Sequence, residues 1–165
     1  MMRPLNRGQA KNLGAKATDA DEAMNALVRL VAARERSVQE TNKRLLEKGY
    51  SQDATSSAVE RALSCGLLDD QRFAKDLIKD RLAAGWGRRR IESDLYRFGI
   101  NKGEVEGYPE AFFSDDEQLE QALLILKCHR TRSKNPRQAA YQYLVSKGYS
   151  SNVASIAVRK QLEEA

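Results

Sequence analysis

The chain of 165 residues contains few of the residue types on which metal binding and covalent cross-linking depend, with one histidine and two cysteines. Two cysteines are too few for a disulfide framework in a chain of this size, so we expect Cys65 and Cys128 to be reduced and buried. His129 follows Cys128, but no second pair of this kind stands at ligand spacing. The sequence therefore predicts no metal site and no cofactor.

Long apolar runs and catalytic motifs are also missing. No apolar run approaches the roughly 20 residues that span a bilayer, and the N-terminus lacks the apolar segment of a secretory signal. We therefore expect a cytoplasmic protein without membrane contact. The sequence has no phosphate-binding glycine loop and no Cys–His pair with a third orienting group, so no enzymatic activity is predicted.

Basic residues outnumber acidic ones by 28 to 23, and the two kinds are unevenly distributed. Residues 1–20 carry a net charge of +3, residues 21–66 of 0, residues 67–116 of −2 and residues 117–165 of +4. Basic ends suit contact with nucleic acid or with a nucleoprotein surface. Residues 1–20 also contain Pro4, Gly8 and Gly14 and only four large apolar residues, so we interpret them as a disordered basic tail.

Helical periodicity and capping signals fill the rest of the chain. Apolar residues recur every three or four positions from Asp21 onward, and capping boxes begin at Ser37 and Ser114. Glycines end the predicted helices because glycine enters the left-handed backbone region without a steric penalty. Only the span from Asn101 to Phe113 is irregular: its glycines and Pro109 predict a short, broken or kinked helix.

One pattern returns three times at a period of 50 and then 49 residues. Its copies are Leu45-x-x-x-Gly49-Tyr50, Leu95-x-x-x-Gly99-Ile100 and Leu144-x-x-x-Gly148-Tyr149. A period of this length indicates a tandem array of supersecondary units. We predict an all-α fold, an elongated array of three tandem three-helix repeats at residues 21–66, 67–113 and 114–165.

The corner between the first two repeats carries the most distinctive string. Gly66 should end one helix after Cys65, and Asp69 should cap the next. Leu68 and Phe73 would then form a hydrophobic staple across that cap. The predicted structural signature consists of Gly66, Leu67, Leu68, Asp69, Asp70 and Phe73, together with Gly99.

This string, Gly-Leu-Leu-Asp-Asp-x-x-Phe-Ala, resembles the most recognisable motif of the RecX family of bacterial RecA regulators. The pattern from Gly85 to Ile100 and the three repeats are similar to the same family, over about residues 23–163. The resemblance implies a monomer that lies in the groove of a RecA filament on single-stranded DNA. It further implies restraint of ATP hydrolysis, strand exchange and co-protease activity in recombination, DNA repair and the SOS response.

Two other interpretations stay open. Three-helix units with basic ends also resemble homeodomain-like folds, so a helical repeat protein that binds DNA directly is the alternative. Against it, no second or third helix carries the Asn, Gln and Arg cluster that reads base edges. An inert scaffold would gain support if the basic residues proved to be neutralised within the chain.

Basic residues recur before or within the second helix of each repeat, and these are the candidate contacts with the filament or DNA. Three consecutive arginines on a first helical turn oppose the helix dipole, which indicates an external partner. Trp86 lies between two glycines beside them, whereas Tyr50 and Tyr149 are expected to pack at core edges. The candidates are Trp86, Arg88, Arg89, Arg90 and Arg97; Arg34, Arg36, Lys43 and Arg44; and Lys127, Arg130, Arg132, Lys134 and Arg137.

Overall fold

The computed structural model describes residues 19–164, which form eight α-helices and one 3-10 helix with no strand in that range. The α-helices are α1 (Ala20–Ala33), α2 (Val38–Glu47), α3 (Gln52–Ser64), α4 (Asp70–Ala83), α5 (Arg88–Arg97), α6 (Asp115–Cys128), α7 (Pro136–Ser146) and α8 (Ser151–Glu163). The predicted all-α fold of tandem three-helix repeats is confirmed. No helix in this range is long and apolar enough to cross a membrane.

The chain divides into two compact units, whose described parts are residues 19–73 and 74–164. The three repeats predicted at 21–66, 67–113 and 114–165 are smaller than these units, and their boundaries stay a prediction. The predicted disordered tail falls on residues 1–18, outside the described residues, and on Asp19 and Ala20. Asp19 accepts hydrogen bonds from the first turn of α1, which begins at Ala20.

The second helix of every repeat ends in the same way. A leucine with no exposed surface lies in its last turns, and its carbonyl accepts a hydrogen bond from the residue after a glycine at positive φ. This closure satisfies a carbonyl that the helix leaves without a partner. The three bonds are Tyr50 to Leu45 at 3.2 Å, Ile100 to Leu95 at 3.0 Å and Tyr149 to Leu144 at 3.1 Å.

Small residues bring two helices of the first unit close together. Ala23 on α1, with Ala58 and Ala62 on α3, is completely buried, so these two helices approach closely around Leu27. Tyr50 is 4% exposed and Tyr149 has no exposed surface. The sequence predicts that both tyrosines pack at core edges, and both are buried in the core.

The signature corner positions two helices at once. Asp69 caps α4 as predicted, because its carboxylate accepts hydrogen bonds from the N–H groups of Gln71 and Arg72 at 2.9 and 3.1 Å. Asp70 accepts from the N–H of Val38 at 2.9 Å, and so holds the start of α2 against the start of α4. Burial raises the pKa of Asp70, with the Val38 bond opposing that rise.

The prediction that both cysteines are buried is wrong. Both thiols are free and exposed. Cys65 follows the last turn of α3 as its C-cap, where the helix end faces solvent. Cys128 ends α6, whose buried stripe runs through Ala122 and Leu126 and leaves position 128 outside it.

The irregular span after Asn101 contains no α-helix. A single 3-10 turn, Lys102–Glu104, is followed by hydrogen-bonded turns up to residue 112. Val105, which is 4% exposed, anchors the span in the second unit. Residues 67–113, the predicted second repeat, therefore contain two α-helices and, in place of a third, this irregular span with its 3-10 turn.

Two glycines bring separate turns of the second unit into backbone contact. The N–H of Gly87 donates to the carbonyl of Lys147 at 2.8 Å, and the N–H of Arg89 donates to that of Gly148 at 3.0 Å. The buried hydroxyl of Tyr149 donates to the carbonyl of Gly85 at 2.9 Å. A β-carbon on Gly87 would lie 2.3 Å from the carbonyl carbon of Gly148, so only glycine permits this contact.

We expect Gly87→Ala to lower the free energy of unfolding by about 3 kcal/mol, because the added methyl group meets backbone that cannot move aside. Gly66→Ala is the matched control: its φ of +75° is unfavourable for alanine, but nothing lies within 4 Å of the new methyl group. It should cost only about 1 kcal/mol. Urea denaturation measures both, and equal costs would contradict the steric account of Gly87.

Candidate interaction surface

The predicted basic residues of the first unit are paired with carboxylates of the same unit. Arg34 and Arg36 both bind Glu40, the latter at 2.6 Å, and the Arg36 side chain is only 11% exposed. Lys43 and Arg44 lie 4.0 and 3.6 Å from Glu47. Exposed pairs like these last two contribute little stability, but they reduce the local positive charge.

The three arginines at the start of α5 do not serve as one group. Arg88, Arg89 and Arg90 are all exposed, and Gly87 supplies no side-chain cap. Their helix end is capped from the third repeat instead, because the N–H of Arg88 donates to Oε1 of Gln118 at 3.2 Å. The carbonyl of Gly148, which accepts from the N–H of Arg89 as described above, is the second acceptor at this helix end.

Arg88 belongs to a polar cluster around Glu92. The carboxylate accepts hydrogen bonds from Arg88 at 2.9 Å, from Lys102 at 2.8 Å and from the hydroxyl of Tyr108. Burial raises the pKa of Glu92, but these three donors outweigh burial and bring it to about 2. Burial and the bond to Glu92 raise the pKa of Tyr108 to about 12. The cluster attaches the irregular span to α5.

Arg90 and Arg97 have different surroundings. The Arg90 guanidinium lies 3.9 Å from the centre of the half-buried Trp86 ring, and Nζ of Lys147 lies 4.8 Å from the same centre. Arg97 lies 3.7 Å from Asp94, which also binds Arg81 at 2.6 Å. Arg97 is thus partly compensated, whereas Arg90 has an aromatic partner and no carboxylate within the described residues.

The strongest concentration of unpaired charge lies in α6–α8. Residues 121–162 contain eight basic residues and no acidic one. Five are the predicted candidates Lys127, Arg130, Arg132, Lys134 and Arg137, all exposed. The other three are Lys147, Arg159 and Lys160. None of the eight forms an ion pair within residues 19–164.

A groove of about 370 Å³ opens in the same part of the second unit. One wall carries His129, from the end of α6, stacked on Tyr143 of α7 at a ring separation of 3.7 Å and an angle of 7°. Lys147 lines the groove with its ammonium 5.6 Å from the centre of the Tyr143 ring. The other lining residues are Ala84, Gly85, Gln121, Leu124, Ile125 and Cys128.

Sequence reasoning missed this groove. It considered His129 only as a metal ligand and did not select Tyr143 or Lys147. Within residues 19–164 no three His, Cys, Asp or Glu side chains are grouped to hold a metal ion. The absence of acidic residues between positions 121 and 162 was the available signal, whereas the stacking of two rings 14 positions apart depends on tertiary packing.

Comparison with known proteins identifies the family. Residues 23–61 match the family model "RecX, first three-helix domain", and residues 69–106 match "RecX, second three-helix domain". Regulatory protein RecX of Xanthomonas campestris pv. campestris (strain B100) is 30% identical over 152 residues, covering 89% of this chain and 90% of that protein. Regulatory protein RecX of Finegoldia magna is 27% identical over 140 residues, covering 81% and 68%. The chain therefore belongs to the RecX family, a family of regulatory proteins.

Solved structures show the same fold. The crystal structure of RecX from Lactobacillus salivarius matches with a TM-score of 0.73 at 18% identity, covering 86% of this chain and 96% of that one. A second crystal structure, of a regulatory protein RecX, matches with a TM-score of 0.74 at 19% identity, covering 95% and 82%.

The Glu92 cluster gives a prediction for the pH dependence of stability. A carboxyl whose pKa falls from 4.5 to about 2 on folding stabilises the protein above pH 4.5, and this contribution is lost as the pH falls towards 2. We expect Glu92→Gln to cost about 1–2 kcal/mol at pH 7, after allowance for solvent screening, and progressively less in acid.

Urea denaturation between pH 7 and pH 3 measures this difference. Glu120→Gln is the matched control, because Glu120 is exposed and has no ion pair within the described residues. It should leave stability unchanged at every pH. A Glu92→Gln cost that stayed constant down to pH 3 would contradict the assignment.

Proposed function

We propose that this protein regulates a RecA recombinase by binding the groove of its filament on single-stranded DNA. It acts in the cytoplasm as a monomer and restrains ATP hydrolysis, strand exchange and co-protease activity. Recombination, DNA repair and the SOS response are the processes affected. Family membership is the observation that carries this proposal.

The architecture supports a binding role over a catalytic one. Tandem three-helix units present side chains along successive helices and suit a partner that is itself repetitive, as a filament is. The unpaired cations of residues 121–162 offer charge to such a partner without first breaking internal ion pairs.

The pairing pattern ranks the candidate contacts. Arg89, Arg90 and the group Lys127, Arg130, Arg132, Lys134 and Arg137 have no carboxylate partner in the described residues, so we assign the filament contact to them. Arg34, Arg36, Lys43, Arg44, Arg88 and Arg97 would have to exchange an internal carboxylate for an external one. These six are the weaker candidates because that exchange gains little free energy.

The test is the single-stranded-DNA-dependent ATPase rate of the cognate RecA, titrated with wild-type protein and with alanine variants. We expect inhibition by wild type. Half-inhibition should need a roughly tenfold higher concentration of the variant that replaces Lys127, Arg130, Arg132, Lys134 and Arg137. A tenfold change corresponds to a loss of about 1.4 kcal/mol of binding free energy. A triple variant of Arg88, Arg89 and Arg90 should be weakened less, since Arg88 is bound to Glu92.

The matched control replaces Arg29, Lys48 and Arg61, three exposed basic residues of the first unit outside the candidate set. It removes as much charge as the arginine triple variant and should inhibit like wild type. Inhibition by all variants alike would refute the assigned contacts. No inhibition by wild type at any ratio would refute the proposed function.

Direct DNA binding is the second candidate, favoured by the eight cations of residues 121–162. Fluorescence anisotropy of a labelled duplex without RecA tests it. Tight and sequence-selective binding, together with an unaffected RecA ATPase, would favour this candidate over the first.

A further inference from the structure

The groove beside His129, Tyr143 and Lys147 combines three features: a pre-stacked aromatic pair, a cation and a lining without acidic residues. We propose that it binds one nucleotide of single-stranded nucleic acid, with the base against the His129–Tyr143 pair and the phosphate beside Lys147. This inference concerns a contact that the protein makes itself, in the absence of RecA.

The dimensions of the groove restrict the ligand. A volume of about 370 Å³ lies at the lower end of small-molecule sites, so it accommodates one planar group and its substituent. A base in a duplex is paired and stacked on both faces, so it cannot enter such a groove. A single strand exposes its bases and can place one there.

The aromatic pair provides the stacking surface. His129 and Tyr143 are held parallel at 3.7 Å by the ends of two helices. A surface ordered before binding loses little conformational entropy when a base stacks on it. Stacking of this kind contributes about 1–3 kcal/mol per base and does not depend strongly on base identity. Leu124, which is 57% exposed, adds apolar surface to the lining.

Lys147 provides the charge for a phosphate. Its ammonium contacts the Trp86 and Tyr143 rings and has no carboxylate partner within residues 19–164. Arg90 lies against the same Trp86 ring. A phosphate beside Lys147 would therefore encounter uncompensated positive charge and no acidic side chain from residues 121–162.

The test uses the full-length protein and two fluorescence signals. Trp86 is the only tryptophan of the chain and contacts Lys147, so its emission reports occupation of the groove. Anisotropy of a labelled oligonucleotide gives the affinity independently. The probes are an oligothymidylate, an abasic oligonucleotide of equal length and charge, and thymidine monophosphate.

We expect the oligothymidylate to quench Trp86 and to bind about tenfold more tightly than the abasic strand, as one stacked base requires. Tyr143→Leu should remove this difference, and Tyr143→Phe should retain it. His129→Ala should reduce the difference. This second variant tests the same aromatic pair if Tyr143→Leu fails to fold, because His129 lies at the end of a helix. Tyr96→Leu is the matched control, because Tyr96 is 84% exposed on α5 and outside the groove.

Lys147→Gln separates the charge from the stack. It should weaken binding of the normal and abasic strands equally. The slope of log affinity against log salt concentration should fall by about the amount of one phosphate contact. The proposal is overturned if the abasic strand binds as tightly as the oligothymidylate, or if Tyr143→Leu leaves the preference for bases intact. Tighter binding of thymidine monophosphate than of the oligonucleotide would also overturn it, in favour of a free nucleotide. RecA is absent from these measurements, so the proposed regulatory function can fail or stand independently.

Discussion

Glycine at positive φ is the constraint on which each repeat depends. At Gly49, Gly99 and Gly148 it turns the chain after a second helix, so that the following residue bonds back to a buried leucine. A side chain at these positions would strain the backbone. Gly148 has a further role, because its turn also meets Gly87 in direct backbone contact. One local requirement thus ends a helix and joins two repeats.

That contact explains why three arginines are tolerated on the first turn of α5. A helix N-terminus carries unsatisfied N–H groups and partial positive charge, which cationic side chains normally make worse. Here the carbonyl of Gly148 and the amide oxygen of Gln118 accept hydrogen bonds from those N–H groups. The arginine side chains are left to form separate contacts, with Glu92 for Arg88 and Trp86 for Arg90. The arginine triplet, whose position in the sequence indicates an external partner, therefore also has an explanation within the chain.

Features that depend on neighbours in sequence could be predicted, and features that depend on distant residues could not. The caps at Ser37, Ser114 and Asp69 and the glycine stops follow from hydrogen bonds within a few residues. Local rules also identified the span after Asn101 as irregular. They could not supply its actual form, since Glu92 and Val105 hold it through tertiary contacts. Charge counts failed although the difference was local: Arg36 pairs with Glu40 four positions on, whereas Arg130 lies in a stretch, residues 121–162, without an acidic residue.

Lys147 connects the join between repeats with the candidate surface. Its carbonyl accepts the N–H of Gly87 at 2.8 Å, while its ammonium contacts Trp86 and Tyr143. The backbone contact of Gly87 and Gly148 therefore sets the position from which this side chain reaches the groove. Tyr149, two residues further on, bonds to Gly85, which itself lines the groove. The turn that makes the join therefore also holds two lining residues, Lys147 and Gly85, in place. A change that separated the two turns would thus alter the groove even where no groove residue is replaced.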